Sequence, residues 1–138
     1  LDQHAGDEAL WRGRLALKVE GEAAQSTSAG FELRGNAQLG ALTLYTPLGS
    51  TAAALHWSAQ GAQLQRNGQQ QDFASLPALL QAALGTDVPV EALFAWLKGD
   101  LRAEDGWQAD LSQHAQGRIT ATRATPAPRV ELRLILEQ

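Results

Sequence analysis

The side chains that most often carry out chemistry are few in this sequence and far apart. The histidines are His4, His56 and His114, and no pair of them has the spacing of a metal site. Ser50 lies in a Leu-Gly-Ser-Thr run that lacks the flanking glycines of a nucleophile elbow, so we interpret it as a turn residue. The acidic residues within 100–105 lack the alternating ligands of a calcium loop. The sequence therefore predicts no catalytic residue, no metal site and no cofactor.

The composition excludes further classes of function. The chain has 138 residues, no cysteine and a net charge of −4, which rules out thiol chemistry, disulfides and cysteine-bound metals. Its basic residues are scattered along the sequence, which argues against nucleic acid as a partner. No apolar run reaches the ~18 residues that a transmembrane helix needs. The length predicts one domain that spans residues 1–138.

The hydrophobic periodicity predicts the elements that must carry any site. Five short segments with alternating apolar residues, separated by turn signals, indicate an antiparallel meander in the first half of the chain. Within this half, residues 1–10 are predicted to be a poorly ordered or short helical lead-in, and residues 21–28 a loop. Helical spacing follows, first between Ser75 and Gly85 and then between Pro89 and Gly99. Three further strands complete an α+β fold with a mainly antiparallel sheet.

Apolar surface is what remains as a basis for function. The chain has four tryptophans, of which we expect Trp57 and Trp107 in the core. Trp96 neighbours the apolar stripe of the second helix and widens it beyond one packing face. Helices over a strongly curved sheet can enclose an apolar cavity of the kind that binds lipid, although the same pattern also fits a solid core.

Three blocks of residues occur in an order typical of one protein family. Trp-Arg-Gly-Arg-Leu-Ala-Leu occupies 11–17, and Leu-Thr-Leu-Tyr-Thr-Pro-Leu-Gly-Ser-Thr occupies 42–51. A Gly, Pro, Leu, Trp, Gly order follows within 84–99. Over roughly residues 11–136 the chain resembles the LolB family of outer-membrane lipoprotein receptors. It departs from the family pattern in lacking the lipid-bearing N-terminal cysteine and in its short lead before the first strand.

The resemblance implies both a fold and a role. The fold would be an incomplete antiparallel β-barrel whose open side is covered by helices, as in LolA and LolB. The role would be to take acylated lipoproteins from the periplasmic carrier LolA into an apolar cavity and insert them into the inner leaflet of the outer membrane. We then expect a monomer on the periplasmic face, anchored through an N-terminal lipidated cysteine that this chain lacks. The alternatives are a LolA-like carrier of lipid or lipoprotein on the same fold, or an enzyme that acts on lipid or cell wall.

The spacing of apolar residues along each predicted strand and helix indicates which residues face the cavity. Gly85 and Gly99 end the helices, and we expect them to let the helices move. Pro47, Leu48 and Gly49 are expected to form a membrane-insertion loop, a tight turn in which Leu48 points into solvent. The residues expected around the acyl chains are Phe31, Leu33, Leu42, Leu44, Leu55, Trp57, Leu80, Leu84, Leu93, Phe94 and Leu97.

Overall fold

The computed structural model describes residues 10–21, 25–125 and 129–137. Within these ranges the chain forms nine strands, two α-helices and a short 3₁₀ helix at His114–Gln116. The helices are α1 (Leu76–Leu84) and α2 (Val90–Leu97). The strands are β1 (Leu10–Val19), β2 (Gln25–Gly35), β3 (Gly40–Tyr45), β4 (Thr51–Ser58), β5 (Gly61–Arg66), β6 (Gln69–Phe73), β7 (Trp107–Asp110), β8 (Arg118–Arg123) and β9 (Val130–Leu136).

The strands pair in one antiparallel sheet with the order β6-β5-β4-β3-β2-β1-β9-β8-β7. Strands β1 to β6 form one meander and β7 to β9 another, and the pairing of β1 with β9 joins them. The sheet is strongly curved but does not close, since β6 and β7 remain at its edges. The predicted α+β fold, an incomplete barrel with helices, is confirmed.

Three sequence predictions about strands were wrong. Leu10, assigned to the lead-in, is the first residue of β1, while residues 1–9 lie outside the described ranges. The predicted loop over 21–28 overlaps β2, which begins at Gln25. The start of this strand was missed because its small polar residues show no apolar alternation. Strand β6 was not predicted at all. It is an edge strand in which only Phe73 is partly buried. Because the strand has no buried face, its sequence shows no alternation of apolar and polar residues.

The helix boundaries follow the predicted signals. The Ser75 hydroxyl caps α1 by accepting a hydrogen bond from the backbone N–H of the first turn, at 3.3 Å. Gly85 ends α1 in the left-handed conformation, with φ of 82°. Helix α2 begins after Pro89 and ends at Leu97, two residues before Gly99 at φ of 90°.

Trp96 lies in the protein core. Its side chain is 1% exposed, and its indole N–H donates to the carbonyl oxygen of Arg102 at 3.1 Å. The ring packs against Trp107 with 6.1 Å between ring centres. The interpretation of Trp96 as an extension of the cavity-facing stripe was therefore wrong, because the segment after α2 folds back over its indole.

Gly13 lies where β1 pairs with the end of β9. A Cβ atom at Gly13 would overlap the carbonyl oxygen of Ile135 and lie 2.9 Å from the Cα of Leu136. Because those neighbours are backbone atoms, a side chain at Gly13 requires β9 itself to move. Glycine is therefore needed at the position that joins the two meanders.

We predict that Gly13→Ala destabilises the protein by about 1–3 kcal/mol or more, since overpacking against backbone is costly. Gly30→Ala is the matched control on β2, because a Cβ there meets the Tyr45 side chain at an ordinary 3.5 Å. Urea unfolding of both variants measures the difference. Equal stability of the two variants would contradict the assigned role of Gly13.

Candidate functional site

A cavity of about 50 Å³ lies between the helices and the concave face of the sheet. Every lining residue is Leu, Val, Phe or Trp, so the walls offer hydrocarbon and aromatic surface. The polar atom of Trp57 is satisfied by Asn36, whose carbonyl oxygen accepts its indole N–H at 2.8 Å. A cavity with such walls stays dry and favours apolar ligands.

Eight of the residues expected at the site surround this cavity. They are Phe31, Leu33, Leu42, Trp57, Leu80, Leu84, Leu93 and Leu97. The remaining three, Leu44, Leu55 and Phe94, are buried but do not line it. Leu55 pairs with Leu64 of β5, and α1 packs against β5 and β6, so that part of the concave face is filled. Phe94 is turned away from the cavity and contacts Trp11, with 5.5 Å between ring centres.

Seven lining residues were not among those expected. Leu15 and Leu17 of β1 and Leu132 and Leu134 of β9 have a clear period of two in the sequence. What the sequence does not show is that the first and last strands pair, which brings these residues beneath the helices. The other three come from the start of α1 and the segment around the start of α2: Leu76, Val88 and Val90.

The cavity is small compared with most ligand pockets. Ligand pockets usually offer about 300 Å³ or more, whereas this cavity offers about 50 Å³. A ligand of ordinary size therefore cannot enter unless part of the wall moves. The packed walls also leave little of this apolar surface exposed.

An open cleft of about 210 Å³ adjoins the closed cavity. The two spaces share the side chains of Leu76, Leu80, Val88 and Val90. The far side of the cleft is formed by Ala37, in the turn between β2 and β3. A single layer of side chains thus separates the cavity from the surface.

The two ends of α2 are held differently. At its C-terminal end the His114 Nε2–H donates to the carbonyl oxygen of Leu97 at 2.9 Å. At its N-terminal end Pro89 provides no side-chain cap. Partial burial beside the cleft raises the pKa of the Asp87 carboxyl, an effect that Arg123 opposes. In the first turn of α2, Glu91 also forms an ion pair with Arg102 at 3.4 Å, between two exposed side chains.

The turn between β3 and β4 presents an apolar tip. The Gly49 N–H donates to the carbonyl oxygen of Thr46, and the Thr46 N–H to that of Ser50, each at 2.9 Å. Gly49 has φ of 91°, which favours glycine at that position. These bonds fix a tight turn that leaves Leu48 95% exposed.

Two further observations concern metal ligands and helix length. Among the described residues, no cluster of three His, Asp or Glu side chains is placed to hold a metal ion. In the same part of the chain, no helix combines the length and hydropathy needed to cross a bilayer.

The fold and the cavity define a class of protein, an incomplete antiparallel barrel with an apolar interior under helices. A family model described as "Outer membrane lipoprotein LolB" matches residues 10–133. Outer-membrane lipoprotein LolB of Bordetella pertussis is 34% identical and aligns with 97% of this chain and 80% of its own length. The protein of the same name from Bordetella petrii is 31% identical, with 91% and 76% aligned. The chain belongs to the LolB family.

We predict that Leu80→Ala destabilises the protein by about 2–4 kcal/mol, because it enlarges the cavity at a side chain that is 4% exposed. Leu101→Ala is the matched control at an exposed position, where the expected change is within about 0.5 kcal/mol. Urea unfolding measures both values. A Leu80→Ala protein as stable as its control would show that the helices do not pack over this cavity.

Proposed function

We propose that this chain receives the acyl chains of lipoproteins in its apolar cavity and releases them into the outer membrane. The observation that carries the proposal is the cavity itself, whose walls are entirely apolar and separated from an open cleft by one layer of side chains. The relatives support the proposal, since they are named outer-membrane lipoproteins. We further propose that a LolA-type carrier delivers the cargo and that a lipidated cysteine, outside these 138 residues, holds the receptor on the periplasmic face.

Energetics favour a binding protein that needs no catalytic step. Exposing an acyl chain of about 16 carbons to water costs on the order of 10 kcal/mol. A receptor that shields the chain removes most of this barrier to transfer. The direction of transfer then follows from relative affinity for the acyl chains. The receptor must bind them better than the carrier does, and the membrane better still. No bond is made or broken.

Entry requires the wall between the cleft and the cavity to open. The shared side chains come from α1, from the segment that connects it to α2 and from Val90 at the start of α2, and Gly85 ends α1. We infer that the start of α2 moves away from the β2–β3 turn while its C-terminal end stays fixed by His114. Such a movement makes the cleft and the cavity one continuous space.

A crosslink across the cleft tests this opening. Ala37→Cys/Asp87→Cys introduces two thiols at cleft-lining positions in a chain without cysteine. A short cleavable bismaleimide should then lower uptake of a fluorescent acyl peptide to below about a tenth, because the wall is held shut. Each single-cysteine variant treated with the same reagent controls for added bulk. Full uptake by the crosslinked protein, with cleavage making no difference, would contradict the proposed entry.

Leu48 has a different task in this proposal. Burying one Leu contributes about 1.5–3 kcal/mol, which is too little to hold a protein at a bilayer. Anchoring must therefore come from the lipidated terminus. The exposed tip instead contacts the bilayer locally, so that acyl chains leave the protein without crossing bulk water.

We predict that Leu48→Glu lowers delivery of lipoprotein into liposomes by roughly 10- to 100-fold, the equivalent of losing the burial of one Leu. Acceptance from the carrier should be unchanged, and stability should change by less than about 0.5 kcal/mol because the side chain is exposed. The matched control is Leu101→Glu, at a 72% exposed leucine after α2. Delivery by Leu48→Glu at the rate of Leu101→Glu would sink the proposed role of the loop.

A further inference from the structure

The outer face of four adjacent strands carries a charge opposite to that of the chain. Among the described outward-facing residues of β2, β1, β9 and β8, six are basic and two are acidic. With Glu137, which follows β9 beside Arg12, the surplus is three positive charges on a chain whose net charge is −4. We name this surface the basic face. Its charged residues are Arg12, Arg14, Lys18, Arg34, Arg118, Arg133, Glu32 and Glu131.

The acidic residues of the basic face are already paired. Glu32 binds Arg12 at 2.7 Å and Arg34 at 2.8 Å, and Glu131 binds Arg133 at 3.0 Å. No described residue forms an ion pair with Arg14 or Arg118. Their guanidinium groups are exposed and remain available to an anionic partner.

Arg14 and Arg118 belong to one row that crosses the sheet. Ile135 lies between them, since it pairs with Arg14 on one side and with Arg118 on the other. Its side chain is 50% exposed, an unusual placement for isoleucine between two arginines. On the other side of Arg14 the row continues through Gly30 to Tyr45.

The row ends at the turn that carries Leu48. The Tyr45 side chain lies close over Gly30 and so leans toward β1. Thr46 follows Tyr45 directly and begins the turn. With neighbouring strands about 4.8 Å apart, the row extends about 20 Å from the base of this turn. It therefore combines an aromatic residue, an exposed aliphatic side chain and two arginines that have no ion-pair partner among the described residues, beside an apolar tip.

We propose that the basic face binds the anionic headgroups of a phospholipid bilayer, with Arg14 and Arg118 on the phosphates and Ile135 and Tyr45 in the interfacial region. Arginine together with aromatic and aliphatic residues is the composition that binds bilayer interfaces. Continuity with the Leu48 turn favours a bilayer over an acidic protein as the occupant. The inference deepens the proposed function, on which it rests, by giving the membrane-bound receptor an orientation.

Vesicle binding without any lipoprotein tests the basic face separately from cargo transfer. The soluble chain is sedimented with phosphatidylcholine vesicles that do or do not contain phosphatidylglycerol, at low and high salt. We expect binding that requires phosphatidylglycerol and weakens with salt. Arg14→Gln/Arg118→Gln should bind roughly 25-fold more weakly, about fivefold for each charge near an anionic surface. Circular dichroism verifies that the variant is folded.

Lys98→Gln/Arg102→Gln is the control for net charge, because it also removes two positive charges from exposed positions, of which Arg102 is paired with Glu91. It should bind within about twofold of the unmodified chain, since neither residue belongs to the strands of the basic face. Equal losses for the two double variants, or none for Arg14→Gln/Arg118→Gln, would overturn the proposal. The proposal would also be overturned if Arg14→Gln/Arg118→Gln bound vesicles normally but no longer accepted cargo from the carrier, since the basic face would then bind a protein. Intact vesicle binding without cargo delivery would contradict the proposed function alone.

Discussion

The pairing of β1 with β9 is the interaction on which the rest of the structure depends. It joins strands that are more than one hundred residues apart in the sequence, Gly13 to Val19 with Val130 to Leu136. Without it, the two meanders would be separate sheets with no common concave surface. With it, Leu15, Leu17, Leu132 and Leu134 lie beneath the helices and form one wall of the cavity. The close approach at Gly13 explains why a residue without a side chain is needed at this junction.

The same pairing gives the sheet two faces with different tasks. On the concave side, the apolar residues of β1 and β9 line a closed cavity next to a surface cleft. On the convex side, the alternate residues of these strands are Arg14 and Ile135, at the centre of the basic face. The strand alternation thus places the surface proposed for acyl chains and the surface proposed for headgroups back to back on one sheet. The basic face reaches the base of the Leu48 turn through Tyr45, whereas the cleft beside Ala37 lies at the other end of β3.

Local signals predicted much of the fold but not its long-range pairing. Ser75, Gly85 and Pro89 mark the helix boundaries because capping and backbone restrictions act within a few residues. Strand β6 was not predicted because an edge strand exposed to water needs no apolar alternation. Phe31 and Leu42 were predicted to lie at the cavity, and they belong to strands that follow each other along the chain. Leu132 and Leu134 were missed, since their position at the cavity depends on a pairing that no local pattern reveals. Phe94 was expected at the cavity but contacts Trp11 instead. The orientation of α2 on the sheet, which determines this contact, depends on packing and not on the helical pattern.

The closed cavity is the centre of this account, and a bound acyl chain tests it most directly. A triacylated lipopeptide with ¹³C-labelled acyl chains can be added to protein with labelled leucine and valine methyl groups. Nuclear Overhauser contacts between the acyl chains and the methyls of Leu80, Leu93, Leu132 and Val88 are the predicted result, together with shifted signals across the cleft wall. Acyl contacts confined to exposed methyls, with the cavity signals unchanged, would contradict the account.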